Sequence, residues 1–325
     1  MIRVISLVVP LCFMALYVVP AQEKWYIPQF SVSAYITPEY STDNGEFNTH
    51  MLAAVSANLN KGGLCELGIT YDLVKNCFVG GEFIYRPFRQ FSVKAGIQRM
   101  PYLLETTYSP RYLEAVGYSL SAFYLGGYSK DISGVNSRSR DCGLAFEGSF
   151  FPKDGYSVVT YTAGIFNGNG YKFKDDNKAK NIEGRIIIQP TAHLKFSIGG
   201  MKGWCNGPDG LASRDRLSVA CWYVTDKTFI RSENILGKTG ITVSNGFYLM
   251  GGRWISDQIA LAVRYNSVIM DFEDRSQDIN NIEACLTWRP PVKNFSFRLQ
   301  YGHFLYGHKK ISDKGLVSAC LIIRL

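Results

Sequence analysis

Arginines, lysines and glutamates recur along this chain at positions that a two-residue period gathers onto one face. Arg86, Lys94, Arg185, Lys195, Arg216, Arg231, Arg264 and Arg298 stand opposite the apolar face of alternating stretches, and Glu82, Glu147, Glu183, Glu233 and Glu283 share their phase. A guanidinium is a planar fork that offers two parallel hydrogen bonds, which suits phosphate-like oxyanions. Rings of such groups around a watery path favour anions. A second chemistry is equally physical. Arg185 and Glu183 sit on one stretch, as do Arg231 and Glu233, and inward charges of opposite sign can pair across strands and merely stiffen a wall. Both readings stand at this point.

Other chemistries find less support. The histidines are His50, His193, His303 and His308, and none sits in a recognisable hydrolase motif with Ser or Asp. No catalytic residue is assigned, and the chain is not expected to be an enzyme. The glycine-rich stretches 60–63 and 167–170 lead into no helix, so a phosphate-cradling loop is unsupported. Beyond Cys12, the cysteines are Cys65, Cys77, Cys142, Cys205, Cys221, Cys285 and Cys320, scattered and without a C-x-x-C. They read as small apolar residues in strands rather than as metal ligands or a disulfide framework. No metal and no cofactor are expected.

The elements that position these residues are strands. In residues 294–306, Phe295, Phe297, Leu299 and Tyr301 fall on one face, while Ser296, Arg298, Gln300 and Gly302 fall on the other. This pattern recurs from Gly63 to the last residue in stretches of roughly ten, the length of a strand crossing an outer membrane. No run of helices is available to cover the apolar face. A closed barrel in lipid is the simplest home for such strands, because it leaves no backbone group unpaired. Residues 1–21 read as a secretory signal: Arg3, an apolar run interrupted by Pro10, and a cleavage site near Ala21. Residues 22–325 then form the barrel, in a bacterial outer membrane and in contact with its lipid. Hydrophobic residues at 46%, with 20 Tyr and 20 Phe, fit a barrel with a polar interior and aromatic girdles. The net charge of +8 comes with no dense basic cluster, so nucleic acid is not expected as a partner.

Short and long connections alternate along the chain, as short periplasmic turns and longer extracellular loops do in such barrels. Five strands are expected before residue 100 and eleven from Arg140 onward, giving sixteen, because an even count needs no spanning strand between them. Residues 119–124 look strand-like but are left out on that ground. Eighteen strands would need two more, from this segment and from 40–50. Residues 101–139 become one long loop, and a loop of that length is usually functional. It can fold into the barrel and narrow it, with Glu105 and Arg111 as constriction candidates. Long loops are also expected at 205–213 and 237–242. Trp222, Trp254 and Trp288 fall beside short turns and Trp204 beside a long loop, which suggests rings at the two membrane interfaces.

Four short motifs carry a resemblance. Gly96, Pro101, Glu105, Ser109 and Pro110 follow one another in residues 92–110; Arg140-Asp141-Cys142-Gly143 opens the next strand; Asn167-Gly168 follows the strand at 161–166; and Ala262-Val263-Arg264-Tyr265 follows a short turn. In this order the chain resembles the phosphate-selective porin O and P family. The resemblance implies a bacterial outer-membrane porin of sixteen strands, a homotrimer, an inward-folded third loop and a narrow arginine-lined pore for small anions such as phosphate. The chain departs from that family in lacking an arginine-rich second strand at 50–59 and in ending on Leu325. Two functions follow as expectations: passive diffusion of small hydrophilic solutes with anion or phosphate preference, or a closed structural or adhesive barrel whose loops bind partners.

Overall fold

The computed structural model describes residues 29–324 apart from 43–45, 61, 130, 173–176, 208–209, 293 and 309–310. The expected signal at 1–21 lies outside the described residues. The first strand segments are β1 (Gln29–Ser41), β2 (Glu46–Asn58), β3 (Cys65–Asp72), β4 (Cys77–Phe88), β5 (Phe91–Arg99), β6 (Arg140–Lys153), β7 (Tyr156–Phe166), β8 (Asn181–Ile188) and β9 (Leu194–Lys202). They continue with β10 (Trp204–Gly207), β11 (Gly210–Val224), β12 (Thr228–Thr239), β13 (Thr242–Trp254), β14 (Ile259–Ile269), β15 (Ile279–Trp288), β16 (Phe295–Tyr306) and β17 (Lys314–Arg324). Both β9 and β10 pair with β11, so they are two parts of one spanning strand interrupted at Gly203. The wall is a closed antiparallel barrel of sixteen strands, sealed where β1 pairs with β17 as well as β2.

Alternation explains the wall. Along β11, Arg214, Arg216, Ser218, Ala220 and Trp222 are buried, while Leu217, Val219 and Tyr223 are exposed. Along β16, Ser296, Arg298 and Gln300 are buried, while Phe295, Leu299 and Tyr301 are exposed. Successive side chains point to opposite faces, so each strand sends one set into the barrel and one set outward. The outward set is apolar and, among the described residues, carries no second layer, as a lipid-facing wall requires.

Several local expectations change. The loop expected at 205–213 is drawn into strand pairing, because Trp204–Gly207 folds back on Gly210–Val224. The loop expected at 237–242 shrinks to a tight turn between Thr239 and Thr242, with Gly240 at φ 60°, a conformation open to glycine. Pro38 lies within β1. The β1–β17 register skips Thr37 and Pro38, which matches the missing N–H of proline. The strand-like stretch at 119–124 is a helical turn, α1 (Leu120–Tyr124), whose cap Ser119 accepts a bond from the Ala122 amide.

The tryptophan expectation also needs correction. Trp222 is buried on the inner face, and Trp254 packs against an inner cluster around Tyr248 and Met250. Trp288 is exposed on the outer face, and Trp204 shares the outer phase because its neighbour Cys205 is buried. Height along a strand does not decide a girdle role; the face does.

Candidate functional site

Residues 100–139 leave the wall at the end of β5 and return at the start of β6. Between those points they pack against inward side chains of β8 through β16. Tyr102, Leu103 and Leu125 meet Met201 and Ile235; Leu104, Leu113 and Ala122 meet Ala220 and Trp222; and Ala115 meets Tyr248, Met250, Ala260 and Ala262. Small wall residues make room for this packing. A Cβ on Gly199 would lie 2.1 Å from the Tyr102 carbonyl oxygen, so the backbones touch there only because the side chain is absent.

Polar bonds lock the segment to the same sector. Glu233 accepts from the amides of Leu104 at 2.7 Å and Glu105 at 2.9 Å. Arg185 donates to the Leu103 carbonyl at 2.6 Å, and Lys195 donates to the Tyr108 hydroxyl at 2.8 Å. Arg298 donates to the carbonyls of Pro110 at 2.8 Å and Arg111 at 2.7 Å. Arg264 donates to the Gly117 carbonyl at 3.2 Å and pairs with Glu283. Arg231 and Glu114 form a two-point ion pair. Arg214 and Arg216 clasp Asp131 at 3.2 and 3.3 Å, and Arg216 also donates to the Leu125 carbonyl.

The electrostatics of the segment differ between its ends. Glu105 accepts from the amide and hydroxyl of Ser119 and lies 3.9 Å from Arg264. Burial pushes its carboxyl up to about 7, against the opposing pull of Arg264 and Ser119, and Glu233 pushes it further the same way. Burial would also raise Asp131, but Arg214, Arg216 and the bonds from Ser133 outweigh it and hold the carboxyl below the usual carboxylate range.

With one sector filled, the open side of the lumen runs along β1 to β6. Arg86 pairs with Glu66 at 2.6 Å there, and Lys94 sits between Glu82 and Glu147 at 3.5 Å from each. Arg111 stacks over the rings of Tyr35 and Tyr112 at 4.6 and 4.9 Å. A polar cavity of roughly 170 Å³ opens on this wall, lined by Ser31, Ser33, Ser56, Thr70, Glu82 and Arg140 among others.

The nine cationic candidates therefore divide. Arg86, Lys94 and Arg111 face the open side. Arg185, Lys195, Arg216, Arg231, Arg264 and Arg298 are engaged with residues 100–139 or with neighbours on the wall, and the last four are almost fully buried. Glu105 is buried between segment and wall rather than facing open lumen.

Two further arginines belong to the site. Arg99 and Arg140 stand directly opposite in the β5–β6 register. Arg99 donates to the Thr106 carbonyl at 2.6 Å and the Tyr118 hydroxyl at 2.9 Å, both neutral groups. The Arg140 guanidinium makes no hydrogen bond or ion pair among the described residues and reaches over Gly80 into the cavity. Alternation counted from Lys94 puts Arg99 on the outer face. Both arginines sit where strands end, next to Arg138 and Ser139 at φ 52° and 54°, so strand phase no longer governs them. Their cross-strand opposition is the signal that marks them, since like charges directly opposite repel.

The fold defines a class, an outer-membrane β-barrel of the porin type. No family model and no curated protein matches the chain. Among solved structures, Salmonella typhi OmpF aligns over 91% of this chain and 97% of its own, with TM-score 0.67 and 9% identity. An anion-selective porin from Comamonas acidovorans aligns over 92% and 99%, with TM-score 0.66 and 9% identity. OmpT of Vibrio cholerae, expressed in the outer membrane, aligns over 93% and 99%, with TM-score 0.65 and 11% identity. At such identities the likeness is one of fold.

Proposed function

We propose that this chain is an outer-membrane channel for passive diffusion of small hydrophilic solutes, with a preference for anions that includes phosphate. The observation that carries the reading is the Arg99–Arg140 pair on the open side of the lumen, with the Arg140 guanidinium uncommitted among the described residues. Two cations held together without a carboxylate partner lower the energy of an anion passing between wall and segment, and a wet path keeps it from being trapped. Arg86, Lys94 and Arg111 extend the path. The reading places the mature chain in the bacterial outer membrane after cleavage near Ala21, as a homotrimer, with no catalytic step.

Planar-bilayer recording tests it. Reversal potentials in a salt gradient should show anion preference, and phosphate should reduce the chloride current. Cation preference with no phosphate effect overturns the anion claim.

A second reading, a closed structural or adhesive barrel, is favoured by one observation: residues 100–139 fill the sector along β8 to β16 with buried contacts. A folded, bilayer-inserted barrel that never conducts would favour it.

A further inference from the structure

The charges on the open side are not all of one sign, and their arrangement points past a simple anion filter. At the end of β5 the two guanidiniums of Arg99 and Arg140 meet no carboxylate within ion-pair distance among the described residues. Farther along the wall, one ammonium, Lys94, serves two carboxylates, Glu82 and Glu147. That trio carries one net negative charge. Glu66 is matched by Arg86 at 2.6 Å and adds nothing to either side. A positive end and a negative end therefore share one passage.

Their separation has a scale. The Arg140 guanidinium lies over Gly80, and Glu82 is two residues farther on β4. Two residues along a strand cover about 7 Å. This is the span of a small molecule with a carboxylate at one end and an ammonium at the other, once a hydrogen bond is added at each. The wall between them is polar and narrow: Ser31, Ser33, Ser56 and Thr70 offer hydroxyls, and Gly68 and Gly80 offer no side chain. The volume supports the same size. A cavity of roughly 170 Å³ is close to the ~150 Å³ that holds a six-carbon ring, and well below the ~300 Å³ where ordinary ligand pockets begin.

We infer that this cavity is a binding site for a small zwitterion of the α-amino-acid type. Its carboxylate rests on Arg140 beside Arg99, its ammonium faces Glu82, and its polar side group meets the hydroxyl row. A purely anionic solute of equal size meets Glu82 as a repulsive neighbour. Discrimination then comes from an unfavourable contact as well as a favourable one. The inference deepens the channel reading and rests on it for its biological use, although the site itself can be measured without conduction.

The test uses the folded barrel in detergent, its folding checked by heat-modifiable gel mobility. Saturation-transfer NMR compares L-serine with lactate, which shares its three carbons and carboxylate but has neither the ammonium nor the side-chain hydroxyl, so the response to Glu82→Gln isolates the ammonium. Serine should bind at least several-fold more tightly than lactate. Arg140→Gln should weaken both by about tenfold, whereas Glu82→Gln should weaken serine and strengthen lactate. If Arg140→Gln misfolds, Glu82→Gln alone decides. Equal binding of the two probes, or a Glu82→Gln that leaves the ratio unchanged, overturns the inference. Bilayer recording on the same sample separates the claims. Serine binding without conductance upholds the site and defeats the channel, while conductance without serine preference does the reverse.

Discussion

Arg231 and Glu114 meet wall to segment in a buried two-point ion pair, with the Arg231 guanidinium also stacked on Trp222 at 4.9 Å. Removing one partner leaves the other charge buried and uncompensated. Glu114→Ala should therefore cost about 3–5 kcal/mol locally. The wall hydrogen bonds are untouched, so the loss should appear as release of residues 100–139: a larger, noisier single-channel conductance and earlier proteolytic cleavage in the segment. Replacing both residues with apolar ones of similar size should restore most of the attachment.

Gly199 and Tyr102 give a steric counterpart. Gly199→Val places a side chain where the Tyr102 carbonyl now lies. Overpacking of this kind costs about 1–3 kcal/mol. The segment yields before a fully paired strand does, so conductance should rise while the melting of the barrel stays nearly constant. An unchanged conductance would argue against close contact between the two backbones.

Acidity should act on the segment in opposite senses at its two ends. The folded state raises the Glu105 carboxyl from 4.5 to about 7, so the folded protein binds this proton more tightly than the unfolded chain. Attachment there is strongest below the unfolded value and weakens as pH climbs through 7, by about 3 kcal/mol in all. Asp131 is shifted the other way, so its contribution is present above its unfolded value and fades as pH falls through the lower folded one. Protection of the segment amides, taken relative to the intrinsic exchange rate at each pH, should fall between pH 5 and 8, and Glu105→Gln should flatten that fall.

Cys142 and Cys221 are exposed on the outer face. In proteoliposomes both should resist a membrane-impermeant maleimide and react with a lipid-soluble one, whereas in denaturant both reagents should label them. Fast impermeant labelling of Cys221 in the folded, inserted barrel would contradict the outward assignment of that face.

Strand positions and their inward charges were legible because a two-residue period repeats in nearly every element; Arg298 and Gln300 follow from Phe297 and Leu299 alone. The phase of Trp222, shared with Arg216 and Ser218, already pointed inward, although its height suggested a girdle. What the sequence could not show is which inward charges are covered. Glu233 meets the Leu104 and Glu105 amides across more than a hundred residues of chain, and no local pattern encodes that meeting. Arg99 escaped, and Arg140 stood out only as part of a motif, because alternation lapses where strands end.

The partners of residues 100–139 also impose an order of events. Arg264, Arg298 and Gln300 hold the segment, yet all three follow it by well over a hundred positions. Contacts of such long sequence separation form late, after the costly closures they depend on. The chain must assemble its last strands, and seal β17 onto β1, before the segment finds its seat. A nascent barrel in the membrane would pass through a wide, unobstructed stage, and the narrow lumen would be the final product of its assembly.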